Sequence, residues 1–256
     1  DDGVAYLEAM SPVDCIFLDP ARRNEHGGKT VAISDCEPNV AELEGLLLSK
    51  ANRIMIKLSP MLDLSQALKE LPHTQEVHII SVNNECKELL LLLGQTAPEE
   101  IPVHCVNLST KGEQEKQLFV FTREQEQHSE CSYTDTLGNY LYEPNASLLK
   151  AGAFRSIAVA YSVKKLHPNS HLYTSETQIE GFPGRTFRII NRCSLNKKEI
   201  KENLSDLKKA NITVRNFPAT VAELRKRIKL AEGGDTYLFA STLNDGQKIL
   251  IRCGKV

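Results

Sequence analysis

The sequence has 256 residues, of which 41% are hydrophobic and 25% are charged. This balance is typical of folded globular proteins and excludes a mainly disordered chain, and apolar runs such as residues 89–93 are far too short to cross a bilayer as a helix. The chain begins with Asp and has no signal-like segment, so we expect a piece of a longer protein. The seven cysteines never occur as C-x-x-C, which argues against a disulfide framework or a structural zinc site and predicts a cytoplasmic protein. The seven histidines show no metal-ligand spacing on any one helix, so we expect no metal site.

The net charge of −2 conceals two parts of opposite charge. Residues 185–256 contain 16 Lys and Arg against 7 Asp and Glu, a net charge of +9. Residues 1–184 contain 15 basic against 26 acidic residues, a net charge of −11. This asymmetry predicts two domains with different partners, of which the basic one is the candidate to bind a polyanion.

The first predicted elements lead to a candidate active-site carboxylate. Residues 4–10 are typical of a helix with an Asp cap, and residues 13–18 are typical of a buried parallel strand that ends at Asp19. Pro20 fixes φ and removes a backbone donor, so a rigid loop begins there. Because ligands of open α/β sheets bind outside the carboxyl ends of the strands, Asp19 is a candidate for chemistry. The alternative is that Asp19 only caps a turn or the following helix.

Strands alternate with helices over the rest of the first half. This order predicts a mostly parallel sheet covered by helices on both faces. We predict helices over residues 38–48 and 62–71 and strands over residues 53–58, 77–82, 103–108 and 117–122, while periodicity leaves residues 85–93 unassigned. The last two of these strands predict an antiparallel hairpin at the edge of the sheet.

The second half follows a polar segment, residues 123–134, which we interpret as a linker. A helix is predicted near residues 145–154, and Gly and Pro at residues 181–184 predict a turn. Beyond that turn we predict strands over residues 185–193, 212–217, 235–243 and 248–253 and helices over residues 196–210 and 220–231. The order β-α-β-α-β-β predicts a compact α+β domain.

Residues 19–22, Asp-Pro-Ala-Arg, carry a resemblance to a known family. The first half resembles the second half of a class I S-adenosylmethionine (SAM)-dependent methyltransferase, whose fourth strand ends in an Asp/Asn-Pro-Pro-Tyr-like motif beside the transferred methyl group. The sequence matches the first two positions of that motif and departs from the third and fourth. The aromatic fourth residue stacks on a target base in the amino-methylating branches, so the resemblance gives no support for base N-methylation.

The resemblance implies which residues form the site. Asp19, Pro20 and Arg22 take the catalytic positions, and Asp19 also borders the cofactor. Asp2, with Asp1 as an equal candidate, takes the acidic position that receives the adenine amino group of SAM. The Gly-rich cofactor motif and the acidic ribose-binding residue of the family are expected upstream, so the isolated chain should bind SAM weakly or not at all and be inactive.

Elementary chemistry gives some of these residues plausible roles. A carboxylate such as Asp19 can accept a hydrogen bond or a proton from a substrate. Arg22 and Arg23 can bind a phosphate through two parallel hydrogen bonds, although both are equally consistent with a solvated surface. Lys57 and Ser59 occupy the analogous rim after the next strand, where we interpret Lys57 as a sheet-end charge rather than a catalytic group.

The second half resembles a THUMP-like module preceded by a small ferredoxin-like region, as found at the carboxyl end of a bacterial group of such methyltransferases. Residues 217–220 (Phe-Pro-Ala-Thr) and 233–240 (Gly-Gly-Asp-Thr-Tyr-Leu-Phe-Ala) carry this resemblance. The implied fold class is α/β, with a partial Rossmann-like methyltransferase sheet over residues 1–127, a linker and ferredoxin-like region over 128–184, and a THUMP-like α+β domain over 185–256.

The helix over residues 220–231 carries the candidate RNA-binding side chains, Arg225, Lys226, Arg227 and Lys229. They form either an ordinary solvated face or a surface that contacts the phosphates of structured RNA, and the charge of +9 favours RNA. The sequence therefore predicts a SAM-dependent methyltransferase acting on RNA, with no membrane partner. The alternatives are a non-catalytic RNA-binding or scaffold protein with a degenerate methyltransferase-like half, and methylation of a protein or small molecule.

Overall fold

A computed structural model describes residues 2–22, 32–110 and 116–256 and divides the chain into two compact units. Unit 1 contains Asp1–His128 and Ala146–Ala153, and unit 2 contains Ser129–Asn145 and Phe154–Val256. Each unit is built on a sheet of its own. Within the described ranges, no helix combines the length and the apolar character needed to cross a membrane.

The main sheet of unit 1 has six strands within the described residues, in the order β1-β4-β6-β5-β7-β8. The strands of this unit are β1 Val13–Leu18, β2 Ala21–Arg22, β3 Cys36–Glu37, β4 Ala51–Leu58, β5 Thr74–Val82, β6 Glu85–Gly94, β7 Pro102–Leu108 and β8 Lys116–Thr122. β1 pairs with β4 and β5 with β7 in parallel, whereas the other neighbours in the sheet are antiparallel. The short strands β2 and β3 pair only with each other among the described residues.

The expectation of a mostly parallel sheet is wrong, because residues 85–94 form a strand. Asn83 and Asn84 both have positive φ, 50° and 65°, which is the backbone that a tight type I′ hairpin turn requires. The chain therefore turns back after β5, and β6 lies antiparallel between β4 and β5. The predicted edge hairpin is confirmed as β7 and β8.

Unit 1 contains five α-helices within the described residues, and polar side chains cap the first three of them. The five helices are α1 Gly3–Ala9, α2 Val40–Lys50, α3 Leu64–Glu70, α4 Arg123–His128 and α5 Ala146–Ala151. The Asn39 and Asp63 side chains accept backbone N–H bonds at the starts of α2 and α3, which confirms the two predicted helices. The segment interpreted as a linker contains α4 and is helical over its first six residues.

The two faces of the unit 1 sheet differ in exposure. On one face, Ile56, Leu91 and Val77 are neighbours across three strands and are fully buried. The opposite face, here called the open face, is exposed or half-buried. Cross-strand partners on this face include Phe17, Met55, Lys57, Leu90, His78, His104 and Val120.

The prediction that β1 is buried is therefore wrong. Phe17 is 58% exposed and Cys15 is also exposed. β1 lies at the end of the strand order and has β4 as its neighbour among the described residues. An apolar run indicates that a segment forms a strand, but whether that strand is buried depends on what packs against it.

Unit 2 is built on a seven-stranded sheet within the described residues, in the order β10-β11-β9-β12-β15-β14-β13. Its strands are β9 Tyr140–Pro144, β10 Lys164–Lys165, β11 Tyr173–Ser175, β12 Gly184–Cys193, β13 Asn211–Arg215, β14 Thr236–Thr242 and β15 Lys248–Lys255. Its helices are α6 Ser156–Ala160, α7 Lys197–Leu204 and α8 Val221–Ile228. The predicted order β-α-β-α-β-β is confirmed from β12 to β15, although α7 ends six residues before the predicted helix end at residue 210.

Two apolar clusters hold this sheet. One contains Phe187, Phe239 and Ile251, and the other packs Leu224 of α8 against Leu250. The Thr220 side chain caps α8 by accepting a hydrogen bond from the backbone N–H of Glu223, and the backbone N–H of Thr220 donates to the Glu223 carboxylate. This helix therefore starts where the sequence predicts. The sheet is continuous from β9 through β12, which joins the predicted ferredoxin-like region to the THUMP-like region.

Candidate functional site at the carboxyl edge of the first sheet

The parallel pairing of β1 and β4 places Asp19 beside Lys57. Leu18 is in register with Ile56, so the next residue of each strand reaches the same carboxyl edge of the sheet. The Lys57 Nζ atom lies 2.6 Å from Asp19 Oδ2. β6 runs the other way and brings Glu88 to the same edge, with its Oε2 atom 3.9 Å from Lys57 Nζ.

Lys57 is held as a cation between two carboxylates. The hydrogen bond with Asp19, aided by the negative charge of Glu88, raises the pKa of Lys57 above its usual 10.5 despite partial burial. Lys57 therefore stays protonated near neutral pH and donates a hydrogen bond to the Asp19 carboxylate. The contact uses Oδ2 of Asp19, a side chain that is 53% exposed, which leaves Oδ1 to accept a hydrogen bond from a ligand.

A pocket of about 500 Å³ lies at the amino end of α1. Its lining includes Asp2 together with Glu37 and Asn39 from the segment that leads into α2. The Asp2 side chain caps α1, since its Oδ1 atom accepts bonds from the backbone N–H groups of Val4 (2.8 Å) and Ala5 (3.1 Å). Both bonds use Oδ1, so Oδ2 remains available as an acceptor toward the pocket.

The short strand after Asp19 pairs with a strand that lines this pocket. Pro20 ends β1, and the next two residues form β2, which pairs with β3. β3 contains Cys36 and Glu37, and both line the pocket. The pairing of β2 with β3 therefore connects the residues that follow Asp19 with two residues that line the Asp2 pocket.

The predicted site residues have different outcomes in the structure. Asp19 and Pro20 lie at the carboxyl edge, as predicted for a strand end. Arg22 belongs to β2, and only its backbone is described, in register with Cys36. Asp1 and Arg23 lie outside the described residues. The catalytic and cofactor roles assigned to these residues remain predictions.

The four predicted RNA-binding residues of α8 are not equivalent. Arg225 is half-buried and donates to the carbonyl oxygens of Ala210 and Leu230, each at 3.4 Å. Arg227 donates to the carbonyl oxygen of Leu195 at 2.7 Å. Both arginines thus have a structural contact inside unit 2.

Lys226 and Lys229 are exposed, as is Arg227, but among the described residues they make no such bond to a carbonyl oxygen, which makes them the better candidates for contact with a polyanion. Exposed lysines on α7 add to the positive charge of this unit, namely Lys197, Lys198 and Lys201. Whether these residues bind RNA remains a prediction.

Sequence reasoning missed Glu88 as a member of the edge cluster. The strand that carries it had no assigned structure, because the run of leucines after Glu88 lacks the alternation of a half-buried strand. The usable signal was the Asn83-Asn84 pair, since adjacent asparagines tolerate the positive φ of a hairpin turn.

Comparison with known proteins agrees with the carboxyl-terminal part of this account. Residues 140–183 match a ferredoxin-like domain family, and residues 184–255 match a family described as THUMP domain-like. No curated protein shows significant sequence similarity to the chain.

A crystal structure of a protein from Porphyromonas gingivalis W83, provisionally described as a methyltransferase, is 41% identical to this chain with a TM-score of 0.86. The match covers 95% of this chain and 60% of that protein, so the chain spans less than two thirds of the length of the protein it matches. The chain therefore contains a ferredoxin-like and a THUMP-like domain at its carboxyl end and is similar over most of its length to a protein provisionally described as a methyltransferase.

Proposed function

We propose that this chain is part of a SAM-dependent methyltransferase that acts on RNA. The observation that carries the proposal is the similarity, at 41% identity over 95% of the chain, to the P. gingivalis protein that is provisionally described as a methyltransferase. The Asp-Pro edge and the Asp2 pocket, both in unit 1, supply candidate locations for the chemistry, and the THUMP-like domain supports an RNA substrate.

The Asp2 pocket fits the adenosyl part of the cofactor. Its volume of about 500 Å³ lies within the range of roughly 300–1,000 Å³ that is usual for small-molecule sites. Asp2 Oδ2 is placed to accept a hydrogen bond from an exocyclic amino group, while Oδ1 keeps the carboxylate in position as a helix cap. When bound, SAM supplies an electrophilic methyl group.

Asp19 and Lys57 then act on the methyl acceptor. The Asp19 carboxylate accepts a hydrogen bond or a proton from the attacking O–H or N–H group of the substrate, and this directs the nucleophile. Lys57 holds the Asp19 carboxylate in position through the 2.6 Å contact between Nζ and Oδ2. Because Asp19 is about half exposed, a macromolecular substrate can reach it.

The activity is tested by transfer of labelled methyl groups from SAM to total RNA by the full-length protein. Label in the RNA fraction supports the proposal. Label only in protein or small-molecule fractions keeps a methyltransferase but contradicts the RNA substrate. Binding of RNA without any methyl transfer supports the alternative of a non-catalytic RNA-binding protein.

The RNA surface is tested separately, with Lys226→Gln and Lys229→Gln. Each variant removes one exposed charge and leaves the hydrogen bonds of Arg225 and Arg227 in place. For each RNA phosphate that the variant no longer neutralises, we expect weaker binding and a decrease of about 1 in the slope of log K against log salt. Lys255→Gln, at an exposed lysine near the carboxyl terminus, is the matched control. Equal salt slopes in all three variants would contradict the assignment of this surface.

A further inference from the structure

Two histidines that are far apart in the sequence become neighbours on the open face. β5 and β7 pair in parallel with His78 in register with His104. The two imidazole rings stack with centroids 4.4 Å apart and planes only 7° from parallel. Glu76 precedes His78 by two residues on the same strand, so its side chain projects from the same face.

The same carboxylate oxygen lies close to both rings. Glu76 Oε2 is 3.1 Å from Nε2 of His78 and 3.8 Å from Nε2 of His104. The three candidate ligand atoms all lie within 4.8 Å of one another. A zinc ion with bonds of about 2.1 Å and tetrahedral angles separates its ligand atoms by roughly 3.4 Å, which is close to the spacing of these atoms. Because imidazole lone pairs lie in the ring planes, metal binding requires the two stacked rings to rotate out of their parallel arrangement.

We propose that Glu76, His78 and His104 form a binding site for a divalent transition-metal ion such as Zn²⁺, with three protein ligands and one open coordination position. Two imidazoles and one carboxylate are a ligand set that zinc accepts in sites where water occupies the fourth position. Both histidine side chains are 26% exposed, so an ion can enter from solvent and keep a water ligand. The proposal stands independently of the proposed methyltransferase function.

The site is tested by calorimetric titration of the protein with Zn²⁺ and by the visible absorption of bound Co²⁺. We expect one equivalent of metal and a loss of affinity of about tenfold or more in His78→Ala and His104→Ala, with a smaller loss in Glu76→Gln. If His104→Ala fails to fold by circular dichroism, His104→Gln replaces it, because this residue keeps more of the packing volume.

Two controls separate this site from other metal-binding groups. His73→Ala removes a histidine that lies 3.2 Å from Glu44, a His–carboxylate pair outside this cluster, and should leave binding unchanged. Cys15→Ser removes the exposed thiol and should also leave binding unchanged. The proposal is overturned if wild-type protein binds neither ion, or if Cys15→Ser abolishes binding while the His78 and His104 variants retain it.

Discussion

The buried carboxylate of Glu143 should be one of the most sensitive positions in unit 2. Its side chain is only 2% exposed and accepts bonds from two guanidinium groups. Arg185 donates through Nε at 2.9 Å and through Nη2, while Arg215 donates through Nε at 3.1 Å and Nη2 at 2.8 Å. Glu143 lies in the ferredoxin-like domain and both arginines lie in the THUMP-like domain, so this cluster joins the two.

The substitution Glu143→Gln keeps the shape of the side chain but removes its charge and replaces one acceptor oxygen with a donor. Breaking a buried ion pair from one side typically costs about 3–5 kcal/mol. The Arg185 and Arg215 side chains are 42% and 36% exposed and can regain water, so we expect the low end of that range, about 3 kcal/mol.

Urea unfolding followed by tyrosine fluorescence measures this loss. The chain has no tryptophan, and all of its seven tyrosines except Tyr6 lie in unit 2, so the signal reports mainly on that unit. Glu180→Gln, at an exposed glutamate of the same unit, is the matched control and should change the free energy of unfolding by less than about 0.5 kcal/mol. A Glu143→Gln variant as stable as this control would refute the reasoning.

Two further predictions concern the same unit. Leu224→Ala should lower the free energy of unfolding by about 2–4 kcal/mol, because Leu224 is 1% exposed and its truncation leaves a cavity. Val221→Ala, at an exposed position of the same helix, is the control and should have little effect in the same urea assay. Burial lowers the pKa of His171 from 6.5 to about 4, so between these values the unfolded chain binds the proton that the folded chain does not. Unit 2 should therefore lose stability as the pH falls from about 6.5 to about 4, and this loss should be smaller in His171→Asn. A pH dependence of His171→Asn equal to that of the wild type would contradict the assignment.

Local patterns were sufficient for most elements of this chain. Apolar periodicity predicts the helices α2, α3 and α8, which the structure confirms, since this signal acts within a few helical turns, and the caps at Asn39, Asp63 and Thr220 define where these helices begin. The strand pattern from β12 to β15 is confirmed for the same reason. Helix ends were less accurate, as α7 shows, because the polar residues after Leu204 continue a helix-like composition.

Features that depend on strand register could not be predicted from the sequence. Asp19 was placed at the carboxyl edge, but its pairing with Lys57 follows from the alignment of β1 with β4. The neighbouring positions of His78 and His104 likewise follow from the parallel register of β5 and β7, which no spacing along the chain reveals. The exposure of β1 depends on tertiary packing, and an apolar run such as its residues 15–18 carries no information about that.

The roles of the basic residues on α8 show a similar limit. Arg225 and Arg227 have the same charge as Lys226, but their guanidinium groups reach backbone carbonyl oxygens of unit 2. A long side chain can serve packing and hydrogen bonding at the same time as solvation, so charge alone does not separate a binding surface from a structural contact.

The most direct test of the central claim compares methyl transfer from labelled SAM by the full-length protein and its Asp19→Asn variant, with total RNA as the acceptor. Asp14→Asn is the matched control, because Asp14 lies on the same strand and is also exposed. We predict that Asp19→Asn lowers transfer by about 10²-fold or more, since it removes the group that accepts the proton, while Asp14→Asn retains the wild-type rate. Equal transfer by the Asp19→Asn and Asp14→Asn variants would contradict a role for the Asp19–Lys57 pair in the reaction.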